Sequence, residues 1–249
     1  MTPLRLVPGG FTPELFERYI HVRFGTGDAP VYWYAIGDAT TFPAGEQFMR
    51  TEGYDTGRLF AFDRDACTAT GLTRKLIVMR NPVTGEILTG PDGQPVWASH
   101  FTYQLFTMRL EEGFLTYEAE QGAGDLRNTA KGGMNCSEVQ QFDGMTVFTT
   151  PVNYKMPVTE DGSQWEPVWE TYDFIERRDN GQVRYDGLWA GAFPLPAHMG
   201  GGRSSMHAYF HRYDRYADLP ESIRAFVEEY ATLWREPPKD MDEIRELQK

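Results

Sequence analysis

Apolar residues recur at every second position through most of this chain, and turn residues interrupt the recurrence at short intervals. A period of two is the signature of a strand with one buried face, whereas a helix repeats every 3.6 residues. The pattern predicts strands at 30–37, 45–54, 58–63, 69–80, 95–110, 114–120, 144–151, 168–177, 182–190 and 204–213. Between them stand Gly53, Asn81-Pro82, Gly85, Asp92-Gly93, Glu112-Gly113, Asp143-Gly144, Asp161-Gly162 and Asn180-Gly181, residues that tolerate the backbone angles of tight turns. Many short strands with little helix between them predict an all-β, mainly antiparallel fold. We expect one β-barrel, lipocalin-like in outline, over 21–215.

Helix is expected only at the two ends. Thr12 is a good N-cap and Pro13 suits the first helical position, so a short helix is expected over 12–20, within an N-terminal segment 1–20. Pro220 opens a stripe of Ile223, Phe226, Val227, Tyr230 and Trp234, which predicts an amphipathic helix over 220–235. Asp240 can cap a last charged helix within the C-terminal segment 220–249. No linker or repeat divides the 249 residues, so a single domain is expected. The weakly patterned stretch 121–143 is long enough for a functional loop over a barrel mouth.

The net charge of −12 argues against nucleic acid and anionic membrane surfaces, which need clustered Lys and Arg. The 16 Phe, 13 Tyr and 6 Trp exceed what a core of this size needs and leave rings to line a pocket. A small hydrophobic or aromatic molecule is therefore the expected partner; a homo-oligomer is open. Cys67 and Cys136 match neither a disulfide framework nor a zinc motif. With no apolar leader run at the N-terminus, the expectation is a cytoplasmic protein.

Chemistry is expected near MGGGRSSMHAYFHRYDRY, residues 199–216. As a strand it places Met206, Ala208 and Phe210 on one face and His207, Tyr209, His211 and Tyr213 on the other. Imidazole exchanges protons near neutral pH, so His207 or His211 is the expected base. Tyr209, Tyr32 or Tyr34 would be the acid, and Arg203 the group for developing negative charge. A solvated polar face is the plain alternative.

Further lining is expected from His100, Phe106, Met108, Tyr154, Lys155, Trp169, Tyr172, Trp189 and His198. Tyr32 and Tyr34 share one face of their strand while Val31, Trp33 and Ala35 share the other, and either could enter the interior. Arg50, Glu52, Arg74, Arg80 and Glu86 read mainly as structural pairs. No metal is expected. On a strand His207 and His211 would stand about 13 Å apart at ~3.3 Å per residue, too far for one ion. The Gly200-Gly201-Gly202 run precedes a strand, so it is no phosphate loop.

Three motifs in order carry a resemblance. HVRFGTGDAPVYWYAIG, then RKLIVMRNPVTGEIL, then FPLPAHMGGGRSSMHAYFHRY with LPESIRAF, resemble a bacterial and fungal family catalogued as domain of unknown function 1838. The similarity spans most of 15–235 and implies a shared β fold, with no established activity. Members usually carry a second Asn-Pro-x-Thr-Gly-Glu repeat where this chain has TGPDGQPVWASHF, so a different ligand is expected here. The residues themselves suggest a lyase or isomerase without a cofactor, acting by acid/base chemistry on an aromatic or phenolic substrate. Elimination, deformylation and decarboxylation are the candidate reactions. A non-catalytic binding protein is the first alternative, and a metal enzyme using the C-terminal histidines the second.

Overall fold

In a computed structural model, which describes residues 10–121, 132–133, 138–159, 163–195 and 201–248, the chain is mostly antiparallel β. The strands are Val31–Phe42 (β1), Gln47–Asp63 (β2), Thr68–Arg80 (β3), Gln104–Glu111 (β4), Phe114–Gln121 (β5), Gly132–Gly133 (β6), Glu138–Phe142 (β7), Met145–Pro157 (β8), Trp165–Asp179 (β9), Gln182–Pro194 (β10) and Arg203–Tyr213 (β11). From β1 to β5 and from β8 to β11 each strand pairs with its successor, and β1 pairs with β11 to join the two runs. Gly133 bridges Glu118 of β5 and Asn153 of β8, while β7 pairs with the first half of β8. β6 and β7 together fill one stave, which makes a nearly closed barrel of ten.

Turn chemistry placed most hairpins. Asn180 and Gly181 both take positive φ (50° and 80°), as the two central residues of a tight β-hairpin require. Glu112-Gly113 does the same at φ 50° and 84°. Gly53 departs from expectation: it lies inside β2, which runs unbroken where two strands were expected. A Cβ on Gly53 would stand 1.9 Å from the Leu76 carbonyl oxygen, so glycine is there for close approach of β2 and β3. Residues 95–103 form no regular strand and are tied by isolated bridges such as Val78↔Trp97. Of the stretch 121–143, residues 122–131 and 134–137, including Cys136, lie outside the described residues, as does the turn at Asp161-Gly162.

The N-terminal helix, Pro13–Phe24 (α1), starts where Thr12 accepts a hydrogen bond from the Leu15 amide at 3.2 Å. It runs four residues past the expected end and stops at Gly25, whose φ is 82°. Its Phe16, Tyr19, Ile20 and Phe24 join Trp33, Met108, Phe148 and Phe174 in the main core. Arg18 donates to both carboxylate oxygens of Glu176 on β9 at 2.7 and 2.9 Å. α1 therefore plugs the barrel end that carries the turns at 112–113, 143–144 and 180–181.

The C-terminal segment lies outside the barrel. Ile223, Phe226 and Val227 of Glu221–Tyr230 (α2), with Trp234, pack on Tyr32, Tyr54, Leu76 and Val78 of β1–β3. Each such side chain fully buried stabilises by roughly 1.5–3 kcal/mol. The helix expected over 220–235 ends at Tyr230, and a 3-10 turn at Thr232–Arg235 follows. Asp240 caps Met241–Leu247 (α3) through the Asp242 and Glu243 amides. Arg74 and Arg80 are structural: Arg74 pairs with Glu243 of α3, and Arg80 with Glu52. Among the described residues no helix is long and apolar enough to cross a membrane.

Candidate functional site in the barrel interior

The barrel has one inside, and β11 turns the other way from expectation. Met206, Ala208 and Phe210 line the interior, where the Phe210 ring packs edge-on to Trp33 at 5.4 Å. His207, Tyr209 and His211 therefore lie on the outer face. His207 is exposed, Tyr209 is 67% exposed, and His211 Nδ1 is 2.8 Å from the Asp186 carboxylate. Arg203 bonds the Pro167 carbonyl at 3.1 Å and pairs with Glu166. The physical reason is burial. An aromatic–aliphatic face gains more from leaving water than a face of imidazoles and phenols.

Tyr32 and Tyr34 also point outward. Tyr32 is buried beneath the C-terminal segment, donating to the Arg235 carbonyl at 3.1 Å, and Tyr34 donates to Glu52 at 2.7 Å. Of the lining residues expected, Lys155 is exposed and Trp169 is 46% exposed, both outside. His198 lies outside the described residues. His100 lines neither cavity but sits against Phe101, which does. Burial, then the nearby Lys75, lowers its pKa, so its imidazole is neutral at pH 7.

Phe106, Met108, Tyr154, Tyr172 and Trp189 do come together inside the barrel, around two adjoining lobes of about 100 and 120 Å³. The first lobe is mixed, with Gln104, Tyr117, Tyr154 and Glu170 beside Phe106 and Met108. The second is apolar, with Trp33, Ala35, Trp189, Met206, Ala208 and Phe210. Arg23, Asp55, Lys75, Tyr172 and Phe174 line both and so stand between them.

Four charged residues at or beside this boundary, Arg23, Asp55, Lys75 and Glu170, were not singled out by the sequence. Glu170, buried on β9, accepts hydrogen bonds from Tyr154 at 2.5 Å, Tyr172 at 2.6 Å and the Trp189 indole at 3.0 Å. Burial, and then Glu170 itself, raises the phenol pKa of both tyrosines well above its usual value, so both keep their protons. The Tyr172 oxygen in turn lies 3.4 Å from Lys75 Nζ, whose ammonium also approaches the Phe101 ring.

Opposite Lys75 in the strand register stands Asp55. Its Oδ2 accepts from Arg23 of α1 at 2.6 Å, while its buried Oδ1 has no hydrogen-bond partner. Burial works against the Arg23 charge, but Asp55 together with Tyr19 and Tyr172 outweighs it and the guanidinium pKa rises. Arg23 also lies over the rings of Phe24, Phe106 and Phe174. The available sequence signal was parity. Lys75 shares its strand face with Ile77, and Glu170 shares its own with Val168 and Phe174.

The interior thus offers an ammonium with donors to spare, a carboxylate with one buried oxygen unpartnered, and aromatic walls. Among the described residues no group of three or more His, Cys, Asp or Glu is placed to hold a metal ion. No protein-family model matches the chain, and no curated protein matches it in sequence.

Proposed function

We propose that the barrel interior binds a small, largely aromatic carbonyl compound and acts on it by cofactor-independent acid/base chemistry, as a lyase or isomerase. The supporting observation is the juxtaposition of Asp55 and Lys75 on paired strands, both lining the two lobes, with the buried Asp55 Oδ1 unpartnered. Asp55 Oδ1 takes a proton from carbon next to the carbonyl. The C–H electron pair forms the enolate C=C bond, and the carbonyl π pair moves onto oxygen, beside the Lys75 ammonium. In isomerisation of a β,γ-unsaturated ketone the enolate oxygen pair reforms the carbonyl, the double bond shifts to the α and β carbons, and the γ carbon takes the proton. In elimination the enolate pair reforms the carbonyl and expels a leaving group from the neighbouring carbon.

Tyr172 and Glu170 are positioning residues in this scheme. Glu170 accepts the hydrogen bond of the Tyr172 hydroxyl, which leaves a phenol lone pair to orient Lys75. Arg23 holds Asp55 without covering both of its oxygens. The reading includes a cytoplasmic protein, in keeping with the free thiol of Cys67.

The test uses para-hydroxyphenylacetone in deuterated buffer, with methylene exchange followed by proton NMR. The wild type should accelerate exchange over buffer, and Asp55→Asn should lose about 10²–10⁴ of that acceleration. Asn keeps the acceptor for Arg23, and a melting curve shows whether the variant folds. Saturable binding without acceleration would instead make the barrel a carrier.

A further inference from the structure

We infer that the ligand of this barrel is bipartite: two single rings joined by a short polar linkage, one ring hydroxylated and the other apolar. The inference rests on the interior being the binding site and adds what the site selects. Its first ground is size. An apolar cavity of about 150 Å³ holds one benzene ring, so lobes of about 100 and 120 Å³ hold no more than a single ring each.

The second ground is the chemistry of the walls. Gln104, Tyr154 and Glu170 give the first lobe hydrogen-bonding groups at its surface, which suit a phenol. The second lobe is bounded mainly by Trp33, Trp189, Met206, Ala208 and Phe210, which offer a ring apolar contact. Arg23, Asp55 and Lys75 stand at the boundary that both lobes share, and Glu170 belongs to the first lobe. A ligand filling both lobes therefore sets its linkage against Asp55 and Lys75, where an oxygen function is matched and a hydrocarbon link is not.

The third ground is mobility at the boundary. Arg23 is tied to Asp55 at 2.6 Å and Phe174 packs edge-on to Trp33 at 5.1 Å. Lys75 makes no polar contact closer than 3.4 Å to Tyr172, longer than an ordinary hydrogen bond, and its ammonium otherwise lies over the Phe101 and Tyr172 rings. Its long side chain is the member of the partition that can swing aside and then close on the linkage oxygen.

The experiment compares three probes by tryptophan fluorescence titration of the full chain: para-hydroxyphenyl benzyl ketone, and its halves para-hydroxyacetophenone and toluene. The ketone should bind about 10²-fold more tightly than the better half, because joining the halves makes the second contact intramolecular. Ala208→Leu fills the second lobe and should weaken toluene and the ketone by more than about tenfold while sparing para-hydroxyacetophenone. Ala119→Leu, in the first lobe, should weaken para-hydroxyacetophenone and the ketone and spare toluene. A ketone no tighter than its better half overturns the bipartite ligand and leaves the interior site standing. Failure of all three probes to bind overturns the interior site as well. If a variant does not fold, the wild-type comparison decides alone.

Discussion

The Tyr172 hydroxyl donates to Glu170 at 2.6 Å, and that bond fixes which way the phenol presents its lone pair to Lys75. Tyr172→Phe keeps the ring that lines both lobes and removes only the link. We expect turnover of para-hydroxyphenylacetone exchange to fall by about tenfold or more while KM changes little, since positioning is worth more in the transition state than in the ground state. A raised KM with unchanged turnover would make Tyr172 a binding group only. Glu170→Leu should instead destabilise the fold by at least about 3 kcal/mol, because it orphans three buried donors.

His207 and Tyr209 test the reversed face of β11. His207→Ala and Tyr209→Phe should each change stability by no more than about 0.5 kcal/mol and leave probe binding and exchange rate unaltered. A loss of exchange on His207→Ala would return the site to the outer face.

Acid should loosen α1. Burial works against the charge of Glu176, but hydrogen bonds from Arg18 and Arg178 outweigh it and hold its pKa below 4.5. A depressed carboxylate stabilises the fold above its unfolded pKa and ceases to do so as pH falls through the folded value. Melting temperature should therefore drop from about pH 4.5 downward. Arg18→Met should cost about 2 kcal/mol at pH 7 and flatten that acid limb, as chemical denaturation at the two pH values would show.

Gly53→Ala should be far more harmful than its size suggests. The new methyl would meet the Leu76 carbonyl at 1.9 Å, and backbone in mid-sheet cannot give way as a side-chain tip can. We expect a loss of about 3 kcal/mol or more by thermal or urea denaturation, in the range of severe core disruption. A loss under about 1 kcal/mol would show that β2 and β3 can separate locally.

The sequence was legible wherever local chemistry decides. Thr12-Pro13 and Asp240 start helices, and Asn180-Gly181 turns a hairpin, because capping and positive φ depend on a few neighbouring residues. Gly53 was misread because a glycine at a turn and a glycine at a close strand contact look alike without the partner strand. Alternation split β11 correctly into two faces but could not say which one meets the interior. It also missed that Tyr32 is buried on the outside, since that depends on a segment some two hundred residues later folding over it. Asp55, Lys75 and Glu170 were passed over because a charge in a strand is ordinarily read as solvent-facing. Only their shared parity with apolar neighbours marked them.

The seat of α1 has a consequence for the order of assembly. Arg18 and its partner Glu176 are separated by 158 residues, and the helix core rests on Phe148 and Phe174. The helix that comes first in the chain thus cannot take its final place until β9 has been made. Until then Phe16, Tyr19 and Phe24 have no barrel to enter, and the ends must be brought together at the entropic cost of a long loop. The plug that completes the cavity floor, and with it the Arg23 that holds Asp55, belongs to the late stages of folding. A chain cut short before β9 carries Arg23 and Asp55 but neither the wall that seats α1 nor the far side of the site.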